Sequence, residues 1–110
     1  MKIVLTGGTF NRLHPGHTYL LKKAKALGYL VVVLAHDRHN KKSNAIPAIQ
    51  RKKNLEKLGI ADKIVIGNNE DYSKVVKRFK PDIIILGYDQ SLPSIKTTAK
   101  IIRMKRFGRY

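Results

Sequence analysis

The chain has 110 residues, enough for one domain around a single core. It has no Cys, which excludes a disulfide framework, a cysteine zinc site and a thiol nucleophile. Lys and Arg number 23 against 7 Asp and Glu, for a net charge of +16. That excess fits a solvated basic surface, polyanionic small-molecule substrates or nucleic acid.

In chain order, residues 2–6 are predicted as a first strand. Residues 17–27 follow as a helix, with Leu20, Leu21, Ala24 and Leu27 at helical spacing and Gly28 as its stop. Residues 30–35 form an almost continuous apolar run, as in a strand covered on both faces. A polar, cation-rich loop spans 36–46, and a second helix spans 47–58 with Gly59 behind it. A third strand is expected at 63–66 and a short helix at 71–79, broken by Lys80-Pro81. A fourth strand at 82–86 leads to a loop at 87–93. A basic helix at 95–107 ends the pattern.

No apolar stretch approaches the roughly 18 residues that span a membrane, and no signal-peptide pattern opens the chain. A cytoplasmic protein without membrane partners is expected. The basic clusters lack an aromatic-rich strand, which argues against a base-stacking nucleic-acid platform.

Strand–helix alternation at this spacing predicts an α/β fold: a single Rossmann-like, doubly wound parallel sheet with helices on both faces. Ligands in such sheets bind outside the carboxyl ends of the strands, where strand order reverses. The polar segments 7–17, 36–43, 67–69 and 87–90 each follow a predicted strand and so fall on one rim.

The densest of these is Gly8-Thr9-Phe10-Asn11-Arg12-Leu13-His14-Pro15-Gly16-His17. It stands where the first strand hands over to the first helix. Unpaired N–H groups and the helix dipole make such a junction an anion site. Glycines at 7, 8 and 16 allow close backbone approach. Two imidazoles there point to a nucleotide phosphate chain. They make a poor zinc site, with no Cys and no nearby carboxylate.

This stretch resembles the GTFDxxHxGH signature of cytidylyltransferase-like nucleotidyltransferases. Gly87-Tyr88-Asp89-Gln90 resembles the GxDQ segment of archaeal-type FAD synthases, which are FMN adenylyltransferases. Asn11 stands where the family usually has Asp, and the family's fifth strand and C-terminal Ser/Thr motif are expected to be missing. Ser94-Ile95-Lys96-Thr97-Thr98 is not equated with that motif. The resemblance implies one nucleotidyltransferase domain over residues 1–110. A phosphate oxygen on an acceptor would attack the α-phosphorus of a nucleoside triphosphate, and pyrophosphate would leave. The nucleophile is already ionised, so catalysis is mostly positioning and charge neutralisation.

The resemblance assigns His14 and His17 to the phosphates near the attacked centre. Thr9 and Phe10 would present backbone N–H groups and a hydroxyl to the phosphates, although Phe10 equally suits the core. Gly16 has a structural role in either case. Lys41 and Lys42 suit the β- and γ-phosphates or the acceptor phosphate, or else a solvated loop. Arg51, on the first turn of the second helix, is expected to face the same site. The resemblance suggests that Asp89, with Gln90 beside it, binds the ribose or base; a turn-forming Asp is the alternative. His36, Asp37 and His39 form a second polar cluster, in which Asp37 matches a family position near the acceptor loop only loosely. A divalent cation, Mg²⁺, is expected to bridge phosphate oxygens, with no ligand named by the sequence.

The expected reaction is transfer of AMP from ATP to FMN. The alternative within the enzyme class is CTP-dependent cytidylyl transfer to glycerol 3-phosphate. The alternative from another class is a non-catalytic nucleotide- or RNA-binding domain. The family also suggests a homodimer, which no stripe in this sequence reports.

Overall fold

The computed structural model describes residues 2–10, 13–37, 46–67, 72–87 and 97–104. Its elements are β1 (Ile3–Gly8), α1 (Pro15–Lys25), β2 (Tyr29–Leu34), α2 (Ala48–Leu58), β3 (Lys63–Ile66), α3 (Tyr72–Phe79), β4 (Ile83–Leu86) and β5 (Lys100–Arg103). The strands form one sheet in the order β3-β2-β1-β4-β5. Each neighbouring pair runs parallel. Order reverses between β1 and β4, so the ligand crevice of a doubly wound sheet lies above the carboxyl ends of those two strands.

The apolar runs form central strands because both faces of the sheet are covered. Val4, Leu30, Val32, Leu34, Ile83 and Ile85 point to the face that takes Leu21 and Ala24 of α1 and Leu55 of α2. Their neighbours in sequence, Leu5, Val31, Val33, Ile84 and Leu86, point to the face that takes Val75 and Val76 of α3. A two-residue period on three adjacent strands thus builds two core layers from one sheet.

The amino-terminal rim uses one device twice. Asp82 Oδ2 accepts the Ile3 N–H at 2.8 Å, and the Asp82 N–H donates to the Ile3 carbonyl at 2.8 Å. Asp62 does the same for Leu30, at 2.8 and 3.0 Å. Each Asp precedes a strand and satisfies an N–H at the start of the strand beside it, Ile3 as the first residue of β1 and Leu30 as the second of β2. Asp62 also pairs with Lys25 at 2.6 Å. The Lys25 ammonium, then the Leu30 N–H, hold its carboxyl below the ordinary value of 3.8.

A depressed carboxyl stabilises the fold above its unfolded-state pKa, and that contribution is lost as pH falls through the lower folded value. The melting temperature should therefore fall on acidification below about pH 4. Asp62→Asn should lower it at pH 7 and make the acid slope shallower. An unchanged acid slope in a thermal melt series would place the acid sensitivity elsewhere.

Gly28 turns the chain from α1 into β2 directly against the first strand. A Cβ there would lie 2.3 Å from the Lys2 carbonyl oxygen. Gly28→Ala is expected to cost about 1–3 kcal/mol through overpacking. That loss is read as a lower melting temperature with the same unfolding m-value.

The carboxyl-terminal segment departs from expectation. The basic helix predicted at 95–107 is not formed over 97–104; residues 100–103 are the fifth strand, parallel to β4. The strand expected to be missing is therefore present. The Lys100 N–H donates to Asp82 O and the Met104 N–H to Leu86 O, at 2.9 and 2.8 Å. Among the described residues β5 is an edge strand with β4 as its one neighbour, and it keeps Lys100, Ile101 and Arg103 exposed. Charged flanks suit such an edge. Its apolar content is too slight to separate a strand from a helix by periodicity.

Candidate active site

The site is built where β1 ends. Gly8 is the last strand residue, and its carbonyl accepts the Ala35 N–H at 2.9 Å, which holds the exit of β2 beside it. Thr6, fully buried, donates its hydroxyl to the Ile85 carbonyl at 3.0 Å and ties β1 to β4 at the reversal point. Phe10 then takes a left-handed backbone (φ +48°), uncommon for a bulky residue. Its ring is buried in the α1–α2 core layer, so the core-packing reading of Phe10 is the one its side chain follows.

Helix α1 begins two residues before its predicted start. His14 is the N-cap, in extended backbone (φ −146°, ψ 171°), and Pro15 takes the first helical position. His14 Nδ1 accepts the Gly16 N–H at 3.0 Å. The His14 carbonyl accepts the His17 and Thr18 N–H groups at 3.0 and 3.3 Å. An imidazole that accepts at Nδ1 carries its proton on Nε2, so the cap bond fixes the tautomer of His14.

The two predicted histidines come together. Their rings stack with centroids 3.8 Å apart and planes 19° apart, and the Phe10 ring backs His17 at 5.0 Å. The pair thus sits on the positive end of α1, whose first turn holds no acidic residue. Both rings are half-buried.

Arg51 does not face this rim. Its side chain is fully buried. Nε donates to Ile46 O at 2.7 Å, one guanidinium nitrogen to Thr9 O at 2.7 Å and the other to Asp37 Oδ1 at 3.1 Å. The guanidinium is committed to three protein acceptors, because the amino end of α2 brings it beneath the β1 exit. The same Asp37 oxygen accepts the Ala48 N–H at 2.7 Å. That backbone bond, then the Arg51 guanidinium, hold the Asp37 carboxyl below its ordinary value. Asp37, only loosely placed from sequence, is thus a structural partner of the site. The contact was invisible because both Arg51 acceptors outside its own helix entry come from the ends of other strands.

Lys41, Lys42, Asp89 and Gln90 lie outside the described residues, as do Asn11 and His39. The rim on which they were expected is present: β1, β2, β3 and β4 all end on the same side, with Gly67 donating to Leu34 O at 2.7 Å. A surface concavity of about 590 Å³, lined by Leu13, His14, Pro15, Thr18, Tyr19 and Lys22, opens on the α1 face turned away from Leu21 and Ala24.

Among the described residues no group of three His, Cys, Asp or Glu could hold a metal ion. Mg²⁺ takes oxygen ligands, and the described rim offers imidazoles. The His14 and His17 imidazoles therefore do not suit Mg²⁺ as ligands.

The family model for cytidylyltransferase-like proteins matches residues 5–109. The chain belongs to the cytidylyltransferase-like family. Among proteins of this family, it is 43% identical over 93 residues to an FAD synthase from Ferroglobus placidus, covering 82% of this chain and 61% of that one. An FAD synthase from Methanosarcina acetivorans is 44% identical over 90 residues, with 79% and 60% covered. The chain thus spans about three fifths of the length of both FAD synthases. A solved structure, the lipopolysaccharide core biosynthesis protein from Thermoplasma volcanium, superposes with a TM-score of 0.88 at 36% identity, covering 98% of this chain and 99% of that one. The Rossmann-like parallel sheet expected from strand–helix alternation is the fold observed.

Proposed function

We propose that this protein is an FMN adenylyltransferase, moving AMP from ATP to FMN to give FAD and pyrophosphate. The observation that carries this reading is the stacked His14–His17 pair at the amino end of α1, beside the strand-order reversal. The likeness to FAD synthases supports ATP and FMN as the substrates. A terminal phosphate oxygen of FMN attacks the α-phosphorus of ATP. The bond from that phosphorus to the bridging oxygen breaks, and pyrophosphate leaves with the electron pair. The phosphate of FMN is largely ionised at neutral pH, so no strong base is required.

The protein's part is to hold and neutralise. The positive amino end of α1 and the Nε2–H of His14 serve phosphate oxygens whose charge grows in the transition state. His17, backed by Phe10, keeps that ring in place. Mg²⁺ belongs to the reaction as the MgATP substrate complex. In this reading Lys41 and Lys42 add charge for the leaving pyrophosphate or the acceptor phosphate, and Asp89 with Gln90 serves the ribose or base. The cytoplasm, where ATP is at hand, is the proposed location.

Pyrophosphate release is measured with ATP or CTP against FMN or glycerol 3-phosphate. Release only with ATP and FMN, with FAD as the second product, is the expected result. Release with CTP and glycerol 3-phosphate would replace it with cytidylyl transfer. Steeply salt-dependent RNA binding without turnover would make the protein a binding domain.

A further inference from the structure

We infer that Arg51 and Asp37 form a strut that sets the geometry of the histidine pair and acts as a positioning device for phosphate transfer. Arg51 is buried completely, yet its donors reach three separate places. Asp37 follows β2 and Ile46 precedes α2, so two of the bonds hold the two ends of the segment that carries Lys41 and Lys42. The third holds Thr9 O, one residue before the left-handed turn at Phe10. From Phe10 contact runs on without a gap: its ring lies against His17, and His17 stacks on His14.

Such a turn in a bulky residue persists only where its surroundings over-determine it. The Thr9 carbonyl bond is one such restraint and the buried Phe10 ring is the other. A planar guanidinium is suited to the task because its donors diverge at fixed angles; an ammonium on a flexible stem cannot meet three acceptors so spread. The bonds to Ile46 and Thr9 tie the loop after β1 to the loop after β2. Asp37 supplies geometry through a single oxygen, which accepts from both Arg51 and Ala48.

The test compares Arg51→Lys, Asp37→Ala and Asp37→Asn. Its kinetic readout rests on the adenylyl-transfer reading above. Arg51→Lys is expected to lower kcat by about 10²-fold, the scale of a 1 Å misplacement, with KM for ATP and FMN little changed. Asp37→Ala should move kcat the same way. Asp37→Asn keeps an oxygen that can accept both bonds and should stay close to wild type.

The second readout needs no activity. Stacked imidazoles shift each other's ring-proton resonances upfield, and Arg51→Lys and Asp37→Ala should reduce that shift for His14 and His17. If Arg51→Lys fails to fold, Asp37→Ala carries the test, because the Asp37 side chain is 59% exposed. Wild-type kcat in Arg51→Lys, or in Asp37→Ala, would overturn the strut. So would an Asp37→Asn defect as large as that of Asp37→Ala, or a fall in kcat with unchanged histidine resonances. If the wild type releases no pyrophosphate from ATP and FMN, the adenylyl-transfer reading fails, and the resonances alone decide the strut.

Discussion

His14→Ala should lower kcat for pyrophosphate release from ATP and FMN by about 10²–10³-fold, the effect of losing one preorganised donor to a developing oxyanion. It should also cost about 1 kcal/mol of stability, because the imidazole caps α1 through the Gly16 N–H. For a chain of this size that is a fall in melting temperature of about 4–8 °C. His14→Asn separates the two roles. The Asn oxygen can accept the Gly16 N–H, since Asn is among the best caps. The melting temperature should return towards wild type while turnover stays low. If His14→Asn restores turnover as well, the ring serves only as a cap.

His17→Ala should produce a comparable loss of turnover without the capping penalty. The double variant should lose little more than either single one, because stacked residues acting on one phosphate chain behave as a unit. Multiplicative losses in steady-state kinetics would mean that the rings act independently.

Much of this was legible in the chain because burial on both sheet faces leaves runs such as 30–34 with no polar position to hide them. The element order and the shared rim followed from those runs and from right-handed crossovers. The histidines were legible because Pro15-Gly16 between them marks a helix start. The exact start was not, since His lies outside the usual set of capping residues and takes the cap here only through its Nδ1.

Arg51 was misplaced for a different reason. A cation near a phosphate site invites a ligand role, and nothing local to 47–58 shows that Thr9, 42 residues away, supplies an acceptor. β5 was missed because its hydrogen bonds run to β4, and long-range pairing leaves little trace in a four-residue edge strand.

The Phe10 position joins fold to site most directly, and Phe10→Ala should show both in one variant. The ring is 6% exposed and belongs to the same core layer as Val4, Leu21 and Leu34. Its removal is expected to cost about 3–5 kcal/mol, the range for a buried Phe truncated to Ala. No relief of the left-handed turn offsets this, since Ala also carries a Cβ. His17 would lose its backing ring, so turnover of the folded fraction should fall too. Phe10→Leu refills most of the volume at smaller cost but restores no aromatic face. If the ring contact matters for the pair, Phe10→Leu recovers most of the stability in a denaturant melt and only part of kcat. Full recovery of both would show that the imidazoles hold their stack on hydrophobic volume alone, and that the aromatic character of Phe10 is incidental.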